Sequence, residues 1–187
     1  MTSNYEVLLE KVHEISDLNK ALSLLQWDRE VNMPAAGLEA RVHQMTTLSR
    51  FNHVLFTTDE MGEMIEAAAD EIEGADYESD EASLIRLLRR NYSDARKLPP
   101  DFVAKISEVS GHAHAAWVKA RAENDFNSYE PWLAQVIELG QEMAELYGYE
   151  DEPYDALLDK YEYDTKTADV RAVFAALKHE LVPLLQQ

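Results

Sequence analysis

Cysteine is absent from this 187-residue sequence. Without thiols there is no disulfide framework, thiolate metal site or cysteine nucleophile, and the absence fits a reducing compartment. Long apolar runs are missing too, since no stretch approaches the roughly 20 residues that cross a bilayer as a helix. The first residues include acidic Glu6 and Glu10 and lack the basic region and apolar core of a signal peptide. We therefore expect a cytoplasmic protein with no membrane partner.

Basic residues are few, because 17 Lys and Arg stand against 36 Asp and Glu, for a formal net charge of -19. A chain of this charge repels nucleic acid phosphates and anionic lipid, so we expect neither as a partner. The acidic surface is interpreted as a source of solubility, and attraction of a basic partner is the alternative.

Glycine and proline are also sparse, at six each, while 46% of the residues are hydrophobic. This composition is typical of a globular protein and differs from that of disordered chains. The length is sufficient to bury a core without a stabilising metal. We predict a single helical domain over residues 1–187.

Apolar residues recur at steps of three and four, and no segment alternates with a period of two. The pattern predicts an all-α fold, an irregular array of about seven amphipathic helices. The predicted helices cover residues 4–29, 38–56, 58–72, 79–98, 100–124 and 128–148, and the last begins at residue 167. That last helix holds the apolar residues Val170, Val173, Phe174, Leu177 and Leu181.

Local signals set these boundaries. Pro34 and Pro100 follow residues that proline excludes from helical geometry, and both suit the first turn of the next helix. Thr58 and Ser79 precede acidic residues and are predicted N-caps. The sequence stops at LVPLLQQ, inside the last predicted helix and without a C-cap, which resembles a cut edge.

The histidines form no metal motif. His112 and His114 are two residues apart and would point about 200° from each other on a helix. His179 and Glu180 match the opening of the zinc motif His-Glu-x-x-His, but Pro183 occupies the place of the second histidine. The remaining three are interpreted as surface or interhelical residues: His13, His43 and His53. We predict no catalytic, cofactor-binding or metal residue in this chain.

Three other features have both a structural and a functional interpretation. The basic cluster of the fourth helix, Arg86, Arg89, Arg90, Arg96 and Lys97, is predicted to pair with acidic helices, and docking of a carboxylate or a subunit is the alternative. The acidic stretch 70–81 lacks the ligand order of a calcium loop and is predicted to be a solvated loop. The three tryptophans occupy apolar helix positions and are predicted to lie in the core: Trp27, Trp117 and Trp132.

A family resemblance adds what spacing alone does not provide. The stretch at 15–50 is ISDLNKALSLLQWDREVNMPAAGLEARVHQMTTLSR, in which Trp-Asp-x-Glu precedes Met-Pro and an Arg-x-x-Gln helix. It resembles the opening signature of the carboxypeptidase Taq family of zinc metallocarboxypeptidases. The signature positions are Trp27, Asp28, Glu30, Met33, Pro34, Arg41 and Gln44. Further matches follow in order at KLPPDF, AWVKARAENDF, GYEDEPYDALLDKYE and VFAALKHELVPLL.

The resemblance covers residues from about 6 to the end, with two small departures. Ala36 stands where a second glycine is usual, and 163–166 replaces a Pro-Gly-type turn. The resemblance implies the N-terminal half of a zincin-like helical peptidase, which uses one zinc ion in a deep cleft to remove C-terminal residues from peptides and is usually a homodimer. The zinc ligands of the family would lie beyond this chain, and these helices would form one wall of the cleft or a cover over it.

Two functional hypotheses follow. In the first, the chain is the N-terminal region of a peptidase and is inactive alone, so it binds peptide only as part of the full-length enzyme. In the second, it is a free-standing, non-enzymatic helical module for binding or dimerisation. Both predict an exposed apolar surface that self-associates or binds the missing catalytic part.

Overall fold

The structure, a computed structural model, describes residues 2–185 and confirms the all-α prediction, with no strand in that range. Eight α-helices occur instead of about seven, because the six residues of α7 are too few to show a helical period. The bounds are α1 Asn4–Val31, α2 Leu38–Phe56, α3 Asp59–Glu71, α4 Asp80–Arg96, α5 Pro100–Glu123, α6 Phe126–Tyr147, α7 Pro153–Leu158 and α8 Thr167–Leu185, with a 3-10 turn at Ala35–Gly37.

The predicted caps are confirmed at α3 and α4. The Thr58 hydroxyl accepts the N–H of Met61 at 3.1 Å, and the Ser79 hydroxyl accepts that of Ala82 at 3.2 Å. Ser128 was the wrong start for α6: its hydroxyl donates to the carbonyl of Asp125 at 3.0 Å, and the helix begins two residues earlier. The left-handed conformation of Asn124, with φ 54°, ends α5 just before this point.

The chain divides into two compact units, Met1–Val136 and Ile137–Gln187, and the boundary falls within α6. The single domain expected over 1–187 stays a prediction. In the first unit α1 packs along α2 and α3, α3 packs on α4, and α5 packs on α2. One buried cluster joins α1, α3 and α4, formed by Leu8, Ile15, Met61, Ile65, Ala68, Ile85 and Leu88.

Two basic residues of α4 pair with acidic residues of α3. Arg89 forms a bidentate ion pair with Glu66, and Arg96 pairs with Asp59. Arg86 instead donates to the carbonyl of Tyr77 at 2.7 Å. The intramolecular interpretation of the basic cluster is therefore confirmed for Arg89 and Arg96, whose charges are engaged by the neighbouring helix.

In the second unit, α7 caps the start of α8. Asp155 is buried and accepts the N–H of Thr167 at 2.7 Å. Arg171 donates to both carboxylate oxygens of Glu152, at 2.9 and 3.1 Å. These bonds hold the end of the loop between the two helices, so the first turn of α8 is positioned by side chains of α7 and its flank.

No residue of α8 is buried within this chain. Of the five apolar residues noted in this helix only Val170 is partly covered, while Phe174 is 63% exposed. Helical periodicity identifies which side of a helix is apolar, and it does not identify what covers that side. The last two residues of LVPLLQQ lie outside the described residues.

Candidate functional site

The signature residues form the corner at which α1 turns into α2. The carbonyl of Asp28 accepts the N–H groups of Asn32 and Met33, both at 2.9 Å, and this ends α1. Pro34 then adopts an extended conformation before the 3-10 turn. The Met-Pro pair therefore marks a change of chain direction, as its effect on helical geometry requires.

An ion pair ties the two sides of this corner together. Arg41 of α2 lies 2.6 Å from the carboxylate of Asp28 and also donates to the carbonyl of Leu25 at 2.8 Å. The Arg41 side chain is only 16% exposed, so water screens the pair less than it would at the surface. Because both partners are engaged, we interpret this pair as a structural clasp and not as an acid and base for catalysis.

Arg29 lies beside the clasp with its side chain only 8% exposed. Its nearest carboxylate, on Glu30, is 3.8 Å away, and its buried Nε has no hydrogen-bond partner among the described residues. Gly111 of α5 makes room here, since a Cβ on it would lie 3.6 Å from Nη1 of Arg29 and 2.7 Å from Cγ2 of Val42. The glycine thus permits close packing of α5 against α2.

A small cavity between α2 and α5 brings together histidines and glutamates. Its volume is about 180 Å³, and its lining includes Glu39, His43, Glu108 and His112. Each helix supplies a glutamate and a histidine four residues apart, which places the two side chains on one face. Nδ1 of His112 lies 3.7 Å from the Glu39 carboxylate, and its ring stacks on Trp132 at 5.5 Å.

The sequence did not reveal this cavity, because its histidines and glutamates come from two helices that lie far apart in the sequence. The available signal was the repeated Glu-x-x-x-His spacing in two helices. In the structure, however, no group of three or more His, Asp or Glu residues within 2–185 is placed to hold a metal ion. The cavity can bind water between imidazole and carboxylate groups, but its side-chain arrangement does not fit zinc.

The histidines outside this cavity do not join His43 and His112 in it. His112 contacts Trp132, whereas His114 lies beside Trp117, so the two rings have separate partners. His53 lies 2.8 Å from the carbonyl of Leu98. The His179 side chain is 85% exposed and has Glu180 as its partner at 3.0 Å. Each of these imidazole rings therefore contacts a different residue, and they do not form a shared site.

Two of the three tryptophans contradict the prediction that they lie in the core. Trp27 is 54% exposed and Trp117 is 46% exposed, while Trp132 is half-buried against His112. Trp117 also lines a surface cleft of about 320 Å³ with Phe126 and Tyr129. Apolar positions of a helix need not face the core of the same chain segment.

A larger cleft of about 430 Å³ lies between α1, α2 and α4. Its polar lining contains the carboxamides of Asn19, Asn52 and Asn91, and buried Asn52 donates to Asn19 at 2.7 Å. No Asp, Glu, Lys or Arg is among its described lining residues. The cleft can form hydrogen bonds to neutral groups, and it contains no carboxylate pair for acid and base chemistry.

With an all-helical fold and the signature corner in place, a family model accounts for nearly the whole chain. Residues 7–187 match the model of the carboxypeptidase Taq (M32) metallopeptidases. The chain belongs to this family. Metal dependence is thus a property of the family, although the described residues present no metal-binding group.

Curated relatives are carboxypeptidases of much greater length. The chain is 39% identical over 180 residues to thermostable carboxypeptidase 1 of Pyrococcus furiosus, with 96% of this chain and 36% of that protein covered. It is 30% identical over 173 residues to carboxypeptidase 1 of Bacillus subtilis, covering 92% and 34%. The chain therefore spans about a third of the length of the relatives it matches.

Solved carboxypeptidase structures also match nearly all of this chain with about a third of their own length. The BsuCP crystal structure superposes with a TM-score of 0.93 at 27% identity, covering 98% of this chain and 37% of that one. A Pyrococcus furiosus carboxypeptidase structure gives a TM-score of 0.80 at 38% identity, covering 100% and 37%. The helices described above are thus arranged as in carboxypeptidases of the family.

Proposed function

We propose that this chain is the N-terminal region of a metal-dependent carboxypeptidase that removes C-terminal residues from peptides. The observation that supports it is the family match over residues 7–187, with curated relatives that are carboxypeptidases. The metal is proposed to be zinc, held by ligands outside this chain. In such an enzyme zinc polarises the peptide carbonyl and activates water.

The residues of this chain are proposed to shape the cleft and to take no chemical step. The Asp28–Arg41 clasp fixes the angle between α1 and α2, and Gly111 fixes the approach of α5 to α2. A cleft wall made of rigidly packed helices holds a substrate in position. Such positioning is a large part of how enzymes lower the activation free energy. Alone, the chain is proposed to be inactive.

The proposal is tested with two proteins. The first is this chain alone, and the second is a fusion of this chain to the remaining part of the Pyrococcus furiosus relative. Release of the C-terminal residue from a blocked dipeptide is measured with and without added zinc. We expect release by the fusion and none by the chain alone. Zinc-dependent release by the chain alone, or an inactive fusion that is folded and contains zinc, would contradict the proposal.

The cellular setting is proposed from the family and the composition. The absence of cysteine suits a reducing, cytoplasmic compartment, and the family resemblance suggests a homodimer. Within residues 2–185, no helix has the length and apolarity to cross a bilayer. Light scattering on the fusion tests the dimer, and a strictly monomeric fusion would overturn it.

A further inference from the structure

Helix α8 presents an apolar stripe that, apart from Val170 at its start, the described chain leaves exposed. Large apolar side chains recur at steps of three and four residues, which places them on one side of the helix, about 120° wide. Most are strongly exposed; Phe174, Leu177 and Leu181 are 63%, 48% and 43% accessible. The stripe consists of Val170, Val173, Phe174, Leu177, Leu181, Leu184 and Leu185.

The opposite side of α8 carries smaller and more polar side chains than the stripe. There the sequence places mainly small or polar residues, namely Ala168, Ala172, Ala175 and His179, with Val182 as the exception. The charged residues Arg171, Lys178 and Glu180 also lie outside the stripe. A helix that is merely solvated has no reason to segregate its large apolar residues, whereas a helix that packs on a partner does. The stripe therefore has the form of an interface.

We propose that α8 is the helix through which this chain docks onto the remaining two thirds of the carboxypeptidase fold. The inference rests on the proposed function and adds the surface and the partner to it. Relatives that superpose on 98% and 100% of this chain devote only 37% of their own length to it. Most of each relative thus lies outside the match. In a fold of this family, that unmatched part is available to cover the apolar stripe of α8.

The binding experiment uses co-expression. This chain, carrying an affinity tag, is produced together with the remaining part of the Pyrococcus furiosus relative, and the amount captured is measured. The test variant is Phe174→Glu with Leu177→Glu. The matched control, Ala172→Glu with Ala175→Glu, adds the same charge to the same helix on the opposite side. All four side chains are exposed, so both variants should keep the helix content and melting temperature of the parent.

We expect equimolar capture by the parent and the control, and at least about a tenfold loss by the stripe variant, because it places charge in an apolar contact. No capture by the parent, or equal capture by both variants, would overturn the inference. Light scattering on this chain alone tests the rival occupant. A dimer that the stripe variant dissolves and the control does not would assign the stripe to a second copy.

Peptidase assays on the captured material separate the two proposals. Capture through the stripe without hydrolysis would support docking and contradict the proposed function. Hydrolysis by the covalent fusion, with no association of the separate chains, would support the proposed function and overturn docking through α8.

Discussion

Gly111 on α5 faces Val42 on α2 at a separation that leaves no room for a methyl group. A Cβ on Gly111 would lie 2.7 Å from Cγ2 of Val42, and both residues are buried. Cβ atoms do not approach other carbons this closely, so a side chain here forces the two helices apart or moves Val42 out of its rotamer. The contact sets how closely α5 can lie against α2.

Gly111→Ala is therefore expected to destabilise the chain, because overpacking costs about 1–3 kcal/mol and the helix propensity of alanine offsets only up to about 1 kcal/mol of it. The control is Gly140→Ala in α6, where a Cβ would meet nothing within 4 Å. That substitution should stabilise the helix by up to about 1 kcal/mol, because alanine is the better helix former. Urea denaturation followed by circular dichroism measures both, and equal stabilities of the two variants would refute the packing argument.

The Asp28–Arg41 clasp is expected to contribute more than a surface ion pair. Arg41→Gln removes a guanidinium that is mostly buried and bonded to both Asp28 and Leu25, so we expect a loss of about 2 kcal/mol. A double-mutant cycle with Asp28→Asn should give a coupling energy above about 0.5 kcal/mol. The comparison cycle on exposed Asp17 and Lys20 should give a value near zero.

The pairing of Asp155 with Thr167 makes the start of α8 sensitive to acid. The Thr167 side chain next to the carboxylate and the Thr167 backbone N–H, which donates to Asp155 at 2.7 Å, hold the pKa of Asp155 below its usual range. A lowered folded-state pKa means that the stabilisation is complete above the unfolded-state pKa of about 3.9, and is lost as pH falls through the folded-state pKa.

Thr167→Val, which removes the hydroxyl, is expected to raise the pKa of Asp155 toward its ordinary value. Thr167→Ser keeps both donors and should leave the titration unchanged. Carboxyl-detected NMR titration of the two variants measures this difference directly. Identical Asp155 titrations in the valine and serine variants would show that the hydroxyl has no part in the shift.

The purified chain is expected to retain no stoichiometric zinc, because the histidines and carboxylates within residues 2–185 are not arranged as ligands. Elemental analysis after dialysis against zinc checks this. His43→Ala with His112→Ala, which removes both imidazoles of the α2–α5 cavity, should give the same metal content as the parent. One zinc ion per chain that disappears in this variant would identify the cavity as a metal site.

Helix boundaries could be predicted from the sequence because their causes are local. Pro100 begins α5, and the hydroxyls of Thr58 and Ser79 cap the next turn, each within three residues. α7 could not be predicted, since six residues give no period. The hydrogen bond by which Asp155 caps the start of α8 could not be predicted either, because Asp155 and Thr167 are twelve residues apart and a loop separates them.

The candidate site could be predicted only in outline. The family signature marked the α1–α2 corner, but the ion pair that joins Asp28 to Arg41 depends on how the helices cross. The Glu39–His112 contact depends on the packing of α5 against α2. Burial was predicted least well at Trp27 and Trp117, because periodicity marks the apolar side of a helix and does not specify what covers that side.

The uncovered state of α8 has a consequence for its helix–coil equilibrium. Nineteen residues without a buried side chain are near the limit for a stable helix in water, and Pro183 leaves the carbonyl of His179 without its usual N–H donor. We expect the backbone amides of α8 to exchange with solvent much faster than those of α2. Any partner that covers the stripe would then complete the folding of α8 as it binds, and slowed exchange would report the event.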